Sequence, residues 1–313
     1  MRDFFMKALV ELAEENSNVM LLTGDLGYSV FEDFEESFPD QYINVGVAEQ
    51  NMTGIAAGLA LEGKIVFTYS IGNFPTLRCL EQIRNNLCYH ELNVNIIGMG
   101  AGFSYGALGM THHATEDISV MRSLPNTSVV APSGPEEAYE LVKQVAKIDG
   151  VSYIRLDKTS LDFPGRSDIK FGAIRELIAG FDIAILATGG ITKNAINIAK
   201  KAIDKGVSVG IYSVHTIKPL DKIEIINICN NYKGLISVEE NNRYGGLSSG
   251  VCEVIAENNL SIYYKGMYIN DMYVAIVGDQ DYLRRYSKLS EEDILKNVML
   301  LNDLIKKNDN EIF

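Results

Sequence analysis

Residues 44–52 read NVGVAEQNM, and the two segments that this run joins decide the expected fold. The mostly apolar residues 42–45 that lead into it are typical of a short buried strand. The residues that follow it, 50–61, are rich in alanine and glycine and are typical of a helix that packs closely against a sheet or a partner helix. Glu49 therefore lies at the junction of a strand and a helix.

The same alternation of strand and helix patterns extends in both directions from this junction, which predicts an α/β fold with mostly parallel sheets. In the first half we expect strands at 19–22, 42–45, 65–69, 94–99, 129–131 and 151–156, and helices at 3–15, 50–61, 76–90 and about 135–146. In the second half we expect strands at 183–188, 207–213 and 235–239, and helices at 193–204, 222–230, 248–258 and 291–307.

A polar stretch separates these two series of elements. It covers residues 157–170 and contains Pro164 and Gly165, both of which favour loops. A chain of 313 residues is also long enough for two domains. We therefore expect a first domain at residues 1–160, a linker at 161–175 and a second domain at 176–313.

Composition excludes several classes of protein. A formal net charge of −13 disfavours binding to nucleic acid or to anionic membranes. No segment approaches the roughly 20 apolar residues of a membrane span, and residues 1–12 lack the apolar run of a signal peptide. The four cysteines form no CxxC pair and no zinc-binding spacing, so we expect free thiols in a reducing compartment. These features predict a cytoplasmic protein.

Two opposing effects act on Glu49. Apolar neighbours such as Val47, Ala48 and Met52 disfavour the charged carboxylate, whereas the N-terminus of a helix favours it. The sequence does not decide which effect is larger. A solvated glutamate in the first turn of a surface helix is the alternative interpretation.

Further short runs accompany residues 44–52 in a fixed order. They are 23–27 (TGDLG), 81–84 (EQIR), 111–112 (TH), 116–118 (EDI), 121–122 (MR), 124–126 (LPN) and 153–156 (YIRL). Their order and spacing resemble those of transketolases and deoxyxylulose-phosphate synthases throughout the first domain, and residues 214–220 continue the resemblance more weakly. The resemblance implies a pyrimidine domain that binds thiamine diphosphate, followed by a transketolase C-terminal-like α/β domain.

The resemblance also implies a cofactor site on this chain. In the family, the glutamate that matches Glu49 hydrogen-bonds N1′ of the aminopyrimidine and favours the imino tautomer, which removes the proton from thiazolium C2. The resulting carbanion attacks a ketose carbonyl. Phe74 matches the aromatic residue that stacks on the pyrimidine, and Arg78 follows one turn later and is expected to face the same pocket. Core packing of Phe74 and a surface salt bridge of Arg78 are the alternatives.

Three further residues match substrate-binding positions of the family. His112 matches a catalytic histidine that faces the substrate, while Ser29 and Lys158 match residues that hold a substrate phosphate. The family more often has arginine where Lys158 stands, and a solvated loop is the alternative for both Ser29 and Lys158. The role of the adjacent His113 stays open.

The chain departs from the family pattern at two substrate-channel positions. Leu108 stands where the family often has an aspartate that binds a substrate hydroxyl, and Gly100 stands where a histidine is common. Both changes remove polar groups, so the pocket cannot demand the same hydroxyls. We expect an unusual donor, such as a deoxy, branched or nucleotide-linked sugar or a 2-oxo acid, rather than xylulose 5-phosphate.

A larger departure concerns the metal site. The family binds Mg²⁺ and the diphosphate through a Gly-Asp-Gly motif, which this sequence does not contain. We therefore assign no metal ligand to this chain and expect a partner subunit to hold the diphosphate and Mg²⁺. The cofactor would be shared at the interface, in a heterotetramer of two such chains and two partners, and would bind only weakly to this chain alone.

These points predict one subunit of a split transketolase-like enzyme of carbohydrate metabolism that transfers a two-carbon ketol unit. The nearest alternatives are the beta subunit of a 2-oxo-acid dehydrogenase and a non-catalytic partner that kept the fold. The resemblance implies that the second domain supports dimer assembly. In this domain we expect His215 to be structural, and Glu239 and Glu240 to lie at a solvated strand end.

Overall fold

The computed structural model describes residues 1–159, 161, 163 and 165–311. The strands are β1 (Val19–Thr23), β2 (Tyr42–Asn44), β3 (Ile65–Ile71), β4 (Val94–Met99), β5 (Thr127–Val130), β6 (Val151–Leu156), β7 (Arg175–Ile178), β8 (Ile183–Ala187), β9 (Val209–Ser213), β10 (Thr216–Lys218), β11 (Gly234–Asn242) and β12 (Tyr263–Ile269). The α-helices are α1 (Arg2–Glu15), α2 (Glu32–Ser37), α3 (Glu49–Leu61), α4 (Leu80–Gln82), α5 (Asp117–Ser123), α6 (Pro135–Val145), α7 (Thr192–Ile203), α8 (Lys222–Asn231), α9 (Leu247–Glu257), α10 (Gln280–Tyr286) and α11 (Glu291–Glu311).

Two mixed, mostly parallel sheets organise the described residues, which confirms the predicted α/β class. The first sheet has seven strands in the order β10-β5-β6-β4-β3-β1-β2, and the second has five in the order β12-β11-β8-β9-β7. Each sheet has one antiparallel pair, β10 with β5 and β7 with β9. The strand β10 follows β9 in the chain but completes the edge of the first sheet, where Thr216 pairs with Val130.

Buried apolar residues connect the two halves of the chain. One cluster contains Val129 and Tyr153 of the first half together with Ile217, Ile225 and Val251 of the second. A second cluster fills the face of the first sheet that α1 and α6 cover, and a third surrounds the second sheet. Because one core spans both halves, removing apolar surface from water stabilises their association as well as each half. The expected linker borders this region, and its residues 162 and 164 lie outside the described residues.

The segment predicted as a single helix at 76–90 is interrupted, which corrects that prediction. It consists of a 3-10 turn at Leu77–Cys79, the three-residue α4 and a π-helical turn at Ile83–Cys88. Thr76 Oγ1 donates to the carbonyl of Gly72 (2.8 Å), and Cys79 Sγ lies 3.3 Å from the carbonyl of Phe74. Such side-chain bonds to the backbone compete with regular helix formation, and π-helical turns are frequent near functional sites.

The prediction that Glu239 and Glu240 lie at a solvated strand end is wrong, because both side chains are buried. Glu239 accepts hydrogen bonds from the amides of Leu247 (2.8 Å) and Ser248 (2.7 Å) at the start of α9. Burial nevertheless raises the pKa of Glu239 to about 7. Glu240 forms an ion pair with Arg284 of α10 at 2.7 Å. The sequence window around residue 240 could not reveal this, because α10 is distant in the chain.

The remaining sequence expectations concern thiols, His215, metals and membranes. Cys79, Cys88 and Cys229 are buried and Cys252 is exposed, and all four are free thiols. His215 is fully buried, and burial lowers its pKa. Among the described residues, no group of three or more His, Cys, Asp or Glu side chains has the arrangement of a metal site. None of the helices in the described ranges has both the length and the apolar content of a membrane span.

Candidate functional site

The candidate site lies along one edge of the first sheet. Glu49 follows the carboxyl end of β2, Phe74 follows that of β3, His112 lies after β4, and Lys158 follows β6. Since these strands are parallel neighbours apart from the intervening β1, their carboxyl ends meet at the same edge. Ligands of open α/β sheets bind at this edge, where loops converge.

The backbone before α3 positions Glu49. Asn44 Oδ1 accepts hydrogen bonds from the amides of Gly46 (3.0 Å) and Asp25 (3.1 Å), which ties the end of β2 to the loop after β1. Gly46 has a φ of +72°, a conformation that glycine adopts without strain. The turn therefore delivers Glu49 to the first position of α3.

The side chain of Glu49 is buried, with a relative exposure of 2%. This excludes the alternative of a solvated surface glutamate. Its Oε1 accepts a hydrogen bond from Ser70 Oγ of β3 (3.1 Å), and its Oε2 accepts one from Arg78 Nη1 (2.7 Å). Gly24 packs beside the carboxylate, since a Cβ added there would lie in van der Waals contact with Oε1 at 3.8 Å. The buried acid therefore has two side-chain hydrogen-bond donors, Ser70 and Arg78.

Arg78 and Phe74 link this carboxylate to His112. The guanidinium carbon of Arg78 lies 4.4 Å from the centroid of the Phe74 ring, a cation–π distance. On another side, the Phe74 and His112 ring centroids are 5.3 Å apart in an edge-to-face arrangement. Phe74 is only partly buried, in contrast to a core phenylalanine. Four of the sequence-predicted residues, Glu49, Phe74, Arg78 and His112, are thus in one continuous series of contacts.

The two adjacent histidines point in different directions. His112 is partly exposed, and its Nδ1 lies 3.0 Å from Thr111 Oγ1. His113 is buried, with its ring edge-to-face on Phe103 at 5.3 Å and its Nε2 3.5 Å from the Gly106 carbonyl. Burial lowers the pKa of His113, which favours a neutral ring. His113 therefore packs inside the domain, and His112 faces the candidate site.

A cavity of about 540 Å³ lies at the same sheet edge. Its walls include Tyr28, Tyr69, Tyr105, Asp157 and Lys158. The Lys158 ammonium is exposed and lies 3.9 Å from the centroid of the Tyr105 ring. The structure thus brings Lys158 to a cavity wall.

Ser29 is not brought to this cavity, although its neighbour Tyr28 lines it. Ser29 is exposed, has a φ of +60°, and donates its amide to Glu32 Oε1 (2.7 Å). The assignment of Ser29 to a substrate phosphate stays a prediction.

Sequence reasoning missed Tyr105. Gly100 has a φ of +95°, and any Cβ added there would overlap the Tyr105 ring. The tyrosine therefore occupies the room that a side chain at position 100 would need. Gly100 was the available signal, because a glycine in place of a larger residue requires that a neighbour fill the space. Leu108, the second departure, is 56% exposed.

Comparisons with protein families agree with this architecture. A model described as "Transketolase, pyrimidine binding domain" matches residues 1–164, and one described as "Transketolase, C-terminal domain" matches residues 172–294. The chain belongs to the transketolase family.

Relatives within the transketolase family include single subunits of larger enzymes. The chain is 38% identical to a subunit of the apulose-4-phosphate transketolase of Actinobacillus succinogenes, over 86% of this chain and 87% of the relative. It is 31% identical to a subunit of the 6-deoxy-6-sulfo-D-fructose transketolase of a Clostridium species, over 95% of this chain and 92% of the relative. The similarity therefore covers nearly the full length of proteins that are single subunits.

A solved transketolase structure has the same fold over its whole length. It is described as a split gene transketolase in an inactive beta4 tetramer, is 33% identical, and superimposes with a TM-score of 0.86. The match covers 97% of this chain and 98% of that one. The recognised family and the fold class predicted from the sequence are both confirmed.

Proposed function

We propose that this chain is the pyrimidine-domain subunit of a split transketolase that transfers a two-carbon ketol unit between sugar or sugar-phosphate substrates. The observation that carries the proposal is the buried carboxylate of Glu49. It lies 2.7 Å from the planar guanidinium of Arg78, which in turn lies over the Phe74 ring. Similarity over nearly the whole chain to proteins that are themselves single transketolase subunits supports the split organisation.

Membership of the family implies thiamine diphosphate and a divalent metal. The residues present fit the aminopyrimidine end of that cofactor, because the planar guanidinium of Arg78 lies between the Glu49 carboxylate and the Phe74 ring. When bound, the cofactor would supply a carbanion that attacks a ketose carbonyl. We propose that Glu49 and Phe74 bind the aminopyrimidine and that Arg78 belongs to the same pocket, whose position between these two side chains it occupies in the free chain.

The roles of the side chains follow from their contacts. Glu49 holds or releases a proton at N1′ of the aminopyrimidine, and the Ser70 hydroxyl fixes the orientation of its carboxylate. Phe74 sets the plane of the stacked ring. His112, partly exposed beside Phe74, donates to or accepts a proton from a substrate hydroxyl.

The cavity next to this site suits the distal end of a substrate. Lys158 on the cavity wall offers a cation for an anionic group. We propose that Lys158 holds such a group together with Ser29, which is the neighbour of the wall residue Tyr28. The two relatives are named for apulose 4-phosphate and 6-deoxy-6-sulfofructose, sugars that end in a phosphate and a sulfonate. Because Gly100 and Leu108 lack the polar groups that the family often has at these positions, we propose a deoxy or branched donor with an anionic end.

The remaining parts of the enzyme belong to a partner in this proposal. The partner would hold Mg²⁺ and the diphosphate, and two chains of each kind would form a heterotetramer. Within this chain we propose residues 1–160 as the pyrimidine domain, 161–175 as the linker and 176–313 as the C-terminal domain. A 2-oxo-acid dehydrogenase subunit would instead require a partner that delivers acyl groups to a lipoyl carrier.

The first experiment is a tagged pull-down from the native cells, followed by ketol-transfer assays of the complex with phosphorylated and sulfonated ketoses. We expect a stoichiometric partner that carries a Gly-Asp-Gly motif. In that complex Glu49→Gln should lower kcat at least 100-fold, since general acid–base catalysis contributes about 10²–10⁴-fold.

Glu62→Gln is the matched control, because Glu62 is an exposed glutamate at the other end of the same helix. It should retain wild-type activity. Full activity of Glu49→Gln would contradict the proposed mechanism, and recovery of a lipoyl-dependent partner would favour the dehydrogenase alternative.

A further inference from the structure

Arg78 makes both of the contacts that the proposed cofactor needs from this chain. Its Nη1 donates to Glu49 Oε2 at 2.7 Å, and its guanidinium lies 4.4 Å above the centre of the Phe74 ring. An aminopyrimidine would use the same carboxylate as hydrogen-bond acceptor and the same aromatic ring as stacking surface. A guanidinium is planar and rich in nitrogen, so it resembles the aminopyrimidine in both shape and hydrogen bonding.

The backbone of Arg78 is anchored, whereas its side chain is not. Its carbonyl accepts a hydrogen bond from Gln50 Nε2 (3.1 Å), and the adjoining Cys79 is fully buried. The side chain, by contrast, is 45% exposed. Within the described residues, the guanidinium hydrogen-bonds Glu49 and lies over the ring of Phe74. The guanidinium can therefore leave Glu49 and Phe74 while the fold around it stays in place.

A free chain needs such a cation because Glu49 is buried. An ionised carboxylate that is removed from water without a charged partner is strongly destabilising. Ser70 alone would leave the charge of Glu49 without compensation. Arg78 supplies that compensation as long as no cofactor is bound.

We propose that Arg78 is a built-in occupant of the pyrimidine position, which must move aside before the cofactor can bind. The inference rests on the proposed function. The apparent affinity of a site equals its intrinsic affinity multiplied by the fraction of molecules in which the site is open. The cofactor therefore binds weakly until Arg78 is displaced. Glu49 stays paired throughout, first with Arg78 and then with the pyrimidine.

Removing the occupant should therefore strengthen cofactor binding while weakening the free protein. Because the Arg78 side of the ion pair is 45% exposed and solvent screens its charge, we expect Arg78→Ala to bind about three- to tenfold more tightly than the wild type. The free variant should also melt at a lower temperature, since Glu49 loses its cation. This opposite pair of effects separates displacement from a general loss of structure.

The test uses the purified full-length chain and two probes, thiamine and thiamine diphosphate. Their dissociation constants are measured by ligand-observed NMR, and the melting temperature by scanning calorimetry with and without each probe.

The variants are Arg78→Ala, Arg78→Lys and Arg84→Ala. Lysine keeps the charge but loses the planar group, so Arg78→Lys should fall between the wild type and Arg78→Ala. Arg84 is an exposed neighbour whose side chain hydrogen-bonds Asn85, so Arg84→Ala should behave as the wild type.

Tighter binding and a larger ligand-induced rise in melting temperature for Arg78→Ala would support the inference. Equal or weaker binding would overturn it and make Arg78 a bystander or a permanent contact. Where no variant of the free chain binds measurably, the same comparison in the complex with the co-purified partner decides in the same way. Weaker binding by Glu49→Gln, with no gain in Arg78→Ala, would overturn only this inference. Absence of binding in every variant and in the complex would overturn the proposed function as well.

Discussion

At the scale of single residues, the contacts of Lys158 determine what it can discriminate. Its ammonium lies against the Tyr105 ring at the wall of the cavity, and Glu49 is not among the residues that line this cavity. A group that binds only the remote end of a substrate contributes equally to the ground state and the transition state. Lys158 should therefore affect KM rather than kcat.

We expect Lys158→Ala to raise the KM for a phosphorylated or sulfonated donor about tenfold, with kcat changed less than twofold, because about 1.4 kcal/mol of uniform binding is lost. Steady-state kinetics of the reconstituted complex measure both constants. Lys170→Ala is the control, since Lys170 is exposed and approaches Asp168 only at 3.8 Å. A fall in kcat with an unchanged KM would contradict the assignment of Lys158 to the distal anion.

At the scale of elements, β11 and α9 depend on the protonation of Glu239. The carboxyl group lies under the first amides of α9, yet burial raises its pKa from 4.5 to about 7. The folded protein therefore binds a proton at Glu239 more tightly than the unfolded chain does. This contribution to stability is complete below about pH 4.5 and is lost as the pH rises through about 7.

We expect Glu239→Gln to remove this dependence. Between pH 6 and pH 8, the free energy of unfolding of the wild type should fall by about 1 kcal/mol relative to that of Glu239→Gln. Urea unfolding at each pH gives both values, and Glu257→Gln, an exposed change at the other end of α9, is the control. A constant difference between wild type and Glu239→Gln across this range would show that Glu239 does not titrate there.

Local patterns predict most of these elements but not their partners. The apolar strands and amphipathic helices of the sequence carry their own periodicity, so β3, β4, β6, α3 and α11 could be located from it. The pairing of β10 with β5 could not, because a three-residue strand carries too little pattern and its partner is far away in the chain. The burial of Glu240 could not be predicted for the same reason, because its ion-pair partner Arg284 lies 44 residues later in the chain. For the site, Glu49 and Phe74 could be predicted from family motifs. Tyr105 was missed, and only the structure reveals that its ring fills the space beside Gly100.

At the scale of the whole molecule, a buried polar network holds the two halves together. Glu240 pairs with Arg284, Gln280 Nε2 reaches Glu240 (3.1 Å) and Asp157 (3.3 Å), and Asp157 also accepts a bond from Ser104 (3.0 Å). Asp157 lines the cavity. The second half of the chain therefore supports a wall of the candidate substrate site, although its own residues are not among the predicted catalytic groups.

We expect Arg284→Ala to lower the free energy of unfolding by about 3–5 kcal/mol, because it leaves Glu240 buried without its cation. The double variant Arg284→Met with Glu240→Gln should recover part of this loss, since it removes both charges. Urea unfolding measures each difference. Lys201→Ala, which breaks an exposed pair with Glu291, is the control and should cost about 1 kcal/mol or less. An equally small effect of Arg284→Ala would mean that the network does not hold the halves together.

The strand β10 belongs to the second half of the chain but pairs with β5 of the first sheet, and this pairing has a consequence for recombination between related genes. A crossover at the boundary between the two halves would join β5 of one parent to β10 of the other, and the chimera would then depend on an edge pairing that neither lineage had selected. Unmatched edges invite pairing with other molecules. Natural and engineered shuffling should therefore keep both halves from the same parent, or transfer residues 214–220 together with the first half.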